Sequence, residues 1–238
     1  MADYQIDISM SGDTVNALLD QGYNLYAFKA VDTSNRGGAP LVWFKTQNFA
    51  TDTQIDWQVD YEAYTSLTKI IPKGKITASN HYPIDLGQTL VVMGTTGTGE
   101  VEGKGTEGAI SILNQTSTPM TCGISQMVSG SAAPMCAFPL NGNMLDVIAP
   151  IEKVLLMFAT NTVDTGTVIF QSFSQGVLID LTAVNNRTVT YDINTGWSWG
   201  TGTWAKKIAP GTDMVPFLIE SSARIVAAQE KLLAARTA

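Results

Sequence analysis

The sequence predicts an all-β protein: an antiparallel β-sandwich with a short N-terminal helix and a long C-terminal amphipathic helix. Three observations predict it. Runs of alternating apolar and polar residues recur along the chain, and residues 55–64, IDWQVDYEAY, alternate without a break. Charged residues make up only 15% of the chain, against an ordinary value of about 25%, and Gly, Thr, Ser and Asn fill the gap, as in uncharged strand faces joined by turns. Helical spacing shows only near the two ends. The 238 residues suffice for a sizeable core. Residues 1–212 are read as one sandwich domain, and 213–238 as a helix packed on it or used in self-association.

In chain order, Ser11 to Gln21 reads as a helix capped by Ser11 or Asp13 and stopped at Gly22. Residues 23–31 and 41–46 read as a hairpin around the turn at 35–40. In 55–64, Ile55, Trp57, Val59 and Tyr61 share one face, and Asp56, Gln58, Asp60 and Glu62 the other. Carboxylates four residues apart on a strand are separated by about 13 Å, too far for a catalytic pair, so this acidic row reads as a solvated face. Residues 75–79 and 89–93 read as strands, with His81 in a turn between them. The glycines at 94, 97, 99, 103, 105 and 108 mark a mobile hairpin or loop, and residues 118–139 read as an irregular crossover. Strands are expected at 109–113, 153–159, 167–173, 177–181 and 186–193. Residues 214–235 read as one helix, with Glu220 and Arg224 as an i,i+4 pair.

Charge and motif narrow the function classes. A net charge of −7 and a pI near 4.6 disfavour nucleic acid as a partner, because Lys69, Lys73 and Lys75, and Lys206 with Lys207, are the densest basic clusters. The same acidity disfavours simple electrostatic capture by anionic lipid, but not insertion driven by apolar groups. The one histidine cannot make a two-His metal site, no nucleophile elbow or phosphate loop occurs, and no metal or other cofactor is expected. Cys122 and Cys136 are expected as buried thiols rather than a disulfide. The N-terminus lacks the marks of a secretory signal peptide, so the expected location is cytoplasmic or export by another route.

The candidate site is the stretch 186–204. It holds three of the chain's five tryptophans, and Tyr191, Trp197, Trp199 and Trp204 sit among Gly, Ser and Thr. Such side chains can stack on sugar rings or lie at a lipid interface, since Trp joins an apolar body to a polar N–H. The expectation is therefore a non-enzymatic binder of a lipid membrane surface or a glycan, toxin-like or lectin-like, with the Gly94–Thr121 stretch as a hairpin able to rearrange into a barrel strand pair. Two other classes stand beside it. One is a self-assembling structural protein, a homo-oligomer. The other is a cofactor-free carboxylate hydrolase or lyase, for which Asp146, Asp180 and Asp192 are the acids to inspect.

Overall fold

The computed structural model describes residues 3–237. Its elements in order are β1 (Asp3–Ser9), α1 (Gly12–Asp20), β2 (Asn24–Thr33), β3 (Ala39–Pro40), β4 (Phe44–Thr46), β5 (Asp52–Ser66), β6 (Asn80–Pro83), β7 (Thr89–Val92), β8 (Gly99–Glu102), β9 (Ile110–Asn114) and β10 (Met120–Val128). They continue with β11 (Ser131–Pro134), β12 (Cys136–Leu140), β13 (Leu145–Ala159), β14 (Gly176–Asp180), β15 (Asn186–Asp192), β16 (Gly196–Ser198), β17 (Ala205–Ile208), α2 (Val215–Leu218), β18 (Ile219–Glu220) and α3 (Ala223–Thr237).

Two mixed sheets pack face to face. The first runs β16-β15-β1-β5-β10-β12-β3, with β6 on β5 and β11 on β10; the second runs β17-β14-β13-β9-β7-β8, with β2 on β13 and both β4 and β18 on β2. Purely antiparallel pairing is expected from the sequence, but β1–β15, β7–β9 and β18–β2 are parallel. All three join strands that no tight turn connects, so no hairpin imposes an antiparallel direction on them.

The long strand β13 organises the second sheet. β2 lies along one side of it for nearly its whole length, and β9 and β14 divide the other side. Both faces of β2 are buried. Leu25, Ala27 and Val31 face the main core between the sheets, while Tyr26, Phe28 and Ala30 face a second core covered by Ile169, Met214 and Leu218. Lys29 shares the inward face with Leu25 and Ala27, so the alternation places an ammonium group inside the sandwich.

That ammonium is fully buried. Its Nζ lies 2.5 Å from Glu152 Oε2, 4.5 Å from the Trp57 ring centroid and 5.4 Å from that of Trp43. Trp57 Nε1 donates to the same carboxylate oxygen at 3.0 Å, and the two indoles meet edge to face at 5.5 Å. Burial pushes the Lys29 ammonium below its ordinary pKa, and Glu152 opposes that shift. Tyr61 also bonds Glu152, and burial first, then the carboxylate's charge, raises its phenol. Glu152 reaches the core through a bulge: between Ile151 and Val154 β13 advances three residues while β2 advances one, and the two extra residues, Glu152 and Lys153, are re-aimed.

Several local expectations need correction. The supposed crossover at 118–139 contains β10, a central strand of the first sheet, flanked by β11 and β12. Its Thr, Gly, Ser and Gln hide the strand period, and pairing on both sides supplies what propensity lacks. His81 lies in β6 rather than in a turn, opposite Tyr64, with Nδ1 3.4 Å from Glu62 Oε2. Residues 75–79 and 167–173 form no strand, only isolated bridges such as Lys75–Thr167 and Gln171–Asp213. The helix expected at 214–235 is interrupted. Ile219 and Glu220 pair with Val31 and Asp32 as a strand, and Asp32 accepts both the backbone N–H and the hydroxyl of Ser222. The expected Glu220–Arg224 pair is lost, because Glu220 binds Lys153 at 2.6 Å. α3 then covers the outer face of the second sheet, with Ile225 buried against Val91, Leu145 and Val147.

The buried ion pair makes a direct prediction. Removing one partner strands an uncompensated charge, at a cost of about 3–5 kcal/mol. Lys29→Met and Glu152→Leu should each lower the urea midpoint strongly, and the double variant should recover more than half of the larger single loss. Additive losses in the double variant would show that the charges are not coupled.

Candidate functional site

Trp197 is fully buried at the edge of the main core. Its ring stacks on Phe158 at 5.5 Å and tilts against Tyr191 at 4.8 Å, and its Nε1 donates to the Gln175 carbonyl at 3.2 Å. Tyr191 is half-buried in the same cluster, 4.6 Å from Phe158. Trp199 and Trp204 are also half-buried and form a separate pair, 6.4 Å apart. Their loop joins β16 on one sheet to β17 on the other. Arg187 lies over the Trp204 ring at 4.6 Å, and Trp199 Nε1 donates to the Gly202 carbonyl at 3.2 Å. The four predicted residues thus form two pairs. Trp197 and Tyr191 contribute to packing at the core edge, and Trp199 and Trp204 present partial faces beside exposed Thr201 and Thr203.

The Gly94–Gly108 segment is tied down at several points. Gly97 O accepts from Thr65 Oγ1 at 2.8 Å, and Thr96 O accepts from Asn80 Nδ2 at 3.0 Å. Thr89 Oγ1 donates to Lys104 O, and Arg236 of α3 binds Glu102. Gly99 and Gly105 lie so close to backbone that a Cβ would stand 2.2 Å from Val91 O and 2.6 Å from Gln88 O. These glycines serve close approach within a β7–β8 hairpin.

A second concentration of functional character lies in the loop between β5 and β6. Leu67 is 57% exposed and Ile71 56%. Lys69, Pro72, Lys73 and Lys75 are exposed between and beside them. Ile70 and Phe170 are half-buried and anchor the loop on Leu41, Tyr64 and Val168. Its backbone is fixed: Ser66 Oγ donates to Thr77 O at 2.6 Å, Thr121 Oγ1 to Thr68 O at 2.7 Å, and Lys73 N to Val168 O at 2.9 Å. Residues 71–74 close a tight turn, with Gly74 N donating to Ile71 O at 2.9 Å. Pro72 takes the second position and Lys73 the third, with φ +61°. Turns of this form favour glycine there, and a lysine in the left-handed region costs about 1 kcal/mol. The turn therefore holds a cation at its tip against its own backbone preference. Lys75 and Lys45 lie 3.7 and 3.6 Å from Asp164. Among the described residues, Lys69, Lys73 and nearby Arg36 have no carboxylate within ion-pair distance.

The three acids singled out from the sequence have separate surroundings. Asp180 Oδ1 caps a turn by accepting from Thr182 N at 2.9 Å. The backbone N–H groups of Thr195 and Asn194 hold the Asp192 carboxyl below its ordinary pKa. Asp146 is buried beneath a pocket lined by Asn35, Arg36, Met144 and Gln229. Its Oδ2 accepts from Asn35 Nδ2 at 2.9 Å and lies 3.6 Å from Cys122 Sγ. Burial raises its pKa from 3.8 to about 6, against the two hydrogen bonds. Cys122 and Cys136 are buried free thiols, and burial raises both above the ordinary thiol value. Among the described residues, no group of three or more His, Cys, Asp and Glu side chains converges as a metal site. Among the described residues, no helix is long and apolar enough to cross a membrane.

Comparison with known proteins gives no match: no family model, curated protein or solved structure corresponds to this chain.

The sequence marks residues 69–75 as one of the densest basic clusters, but not the solvent exposure of Leu67 and Ile71 beside it. That exposure depends on Ile70, rather than Ile71, turning inward.

Asp146 yields a pH prediction. A raised carboxyl pKa contributes stability that is complete below about 4 and is lost as pH rises through about 6. Asp146→Asn should therefore stabilise the fold by about 2–3 kcal/mol at pH 8 and show little change at pH 4, as read from urea midpoints. A larger gain at pH 4 than at pH 8 would reverse the sign of this account.

Proposed function

We propose that this chain is a peripheral binder of anionic membrane surfaces, docking through Leu67, Lys69, Ile71 and Lys73. The observation that carries this reading is the Ile71–Gly74 turn, which keeps Lys73 at an unfavourable φ two residues after exposed Ile71. Each lysine near an anionic leaflet contributes about 1 kcal/mol, and an inserted Leu or Ile about 1.5–3 kcal/mol. The long lysine stems can lie along the acyl boundary while their ammonium groups reach the headgroups. With a net charge of −7, the rest of the surface is repelled, so the local cluster sets orientation as well as affinity.

Glycan capture by Trp199 and Trp204 is the second reading, favoured by the exposed Thr201 and Thr203 beside the pair. It ranks second because Arg187 already covers Trp204 and the Trp199 N–H is spent within its own loop.

Co-sedimentation with vesicles of mixed phosphatidylserine and phosphatidylcholine tests the docking reading. The wild type should bind, more weakly as salt rises. Lys69→Glu and Ile71→Ser should each weaken binding at least about fivefold, in line with one lost cation or one lost inserted side chain. Lys73→Gly should weaken binding while raising the urea midpoint, because glycine relieves the turn. Binding unchanged in all three variants, or lost only with Trp199→Ala, would move the site to the tryptophan loop.

A further inference from the structure

The docking loop also forms one wall of a groove of about 460 Å³, and the groove's chemistry is one-sided. Its apolar lining is Leu67, Ile70, Pro119, Met120 and Phe170, and Lys69 is its one charged residue. Several of the polar atoms in its walls are already engaged. Thr121 Oγ1 donates to Thr68 O at 2.7 Å, and Thr68 N donates to Ser66 Oγ at 3.0 Å. Gly37 N donates to Asn35 Oδ1 at 3.0 Å, and Pro139 O accepts from Asn35 Nδ2 at 2.8 Å. What the groove offers a ligand is mainly apolar wall and a single charged group, the exposed Lys69 ammonium. A sugar or nucleotide needs several convergent polar partners; an amphiphile with an apolar chain and an anionic head needs what this groove offers. A groove of similar volume beyond Phe170 also has apolar walls, from Pro72, Val168, Ile169 and Phe173, and borders Lys73, but the side-chain amides of Asn161 and Gln171 interrupt it.

Resting on the docking reading, we propose that the groove beside Lys69 takes up one acyl chain of an anionic phospholipid, with Lys69 meeting its phosphate. Leu67 and Ile71 bring the groove mouth to the bilayer, and the chain enters between Leu67 and Pro119. The loop then grips a lipid as well as resting on the surface.

The test is titration of the full chain with lysophosphatidylserines of increasing chain length, each kept below its critical micelle concentration. The readout is the methyl NMR signals of Met120 and Ile70. Saturable shifts are expected, with affinity rising about fourfold per added methylene until the chain outgrows the groove. Lysophosphatidylcholine of equal length should bind at least about fivefold more weakly. Pro119→Trp, which fills the mouth and leaves Leu67, Lys69, Ile71 and Lys73 in place, should abolish these shifts and keep vesicle binding. Where that variant fails to fold, Lys69→Glu should remove the preference for the anionic head. No saturable shift with the wild type, equal affinity for the two head groups, or undiminished binding by Pro119→Trp overturns the proposal even where vesicle binding persists. Saturable lipid binding without vesicle binding leaves the groove standing and removes the docking reading.

Discussion

The Lys29–Glu152 pair is the constraint on which the two sheets depend. An ammonium inside an apolar sandwich is tolerated only with a carboxylate and further donors around it. The first sheet supplies two of those partners, Trp57 and Tyr61, and the second supplies the charges themselves. A slip of β5 by one residue in its sheet would turn Trp57 outward and leave Glu152 short of a donor. The pair therefore specifies register and facing, which a purely apolar interface would leave freer. The bulge that aims Glu152 inward also carries Lys153, which binds Glu220 where the chain begins its final segment. Two residues on, Ser222 is gripped by Asp32 and α3 begins. One irregularity in β13 thus shapes both the core and the cover of the outer face.

The same frame explains how a surface loop can be held in an unfavourable conformation. β5 carries Trp57 and Tyr61 at the ion pair and Tyr64 nearer the loop, where its hydroxyl donates to Cys136 O at 2.6 Å. It ends at Ser66, whose hydroxyl spans the loop base. Ile70 and Phe170 then fix the loop on the core, so the strain at Lys73 is carried by packing on both sides of the turn. Surfaces that meet a bilayer gain from such rigidity, because less conformational entropy is lost on docking.

Much of the fold was legible in the sequence, and the parts that were not have identifiable causes. β5 and β15 show their period because one face of each is wet. α1 is marked by Ser11, whose hydroxyl accepts from Thr14 N at 3.1 Å. β10 was hidden because Thr121, Ser125 and Gln126 are buried along with its apolar residues, so no contrast marks its faces. The C-terminal helix was overextended because Ile219 fits a helical stripe and a strand equally well, and only pairing with β2 decides between them. Nothing local in the sequence marks Lys29 as an ion-pair member, since its partner Glu152 lies over a hundred residues away. At the candidate site, the tryptophans were conspicuous by type, and the structure divides them between packing and partial exposure. The Leu67–Lys75 loop was visible as charge alone; its character comes from which isoleucine turns in, and that is set by tertiary contact.

Docking by the Leu67–Lys75 loop is tested most directly by the membrane depth of a nitroxide on the protein bound to anionic vesicles. The buried thiols of Cys122 and Cys136 leave single-cysteine labelling selective for Ile71→Cys, with Thr201→Cys beside the tryptophan loop as the comparison site. Docking through the Leu67–Lys75 loop should give the Ile71→Cys label more oxygen accessibility and less contact with a water-soluble relaxant, while the Thr201→Cys label stays in water. A bound protein whose Ile71→Cys label remains in water while the Thr201→Cys label enters lipid would contradict it.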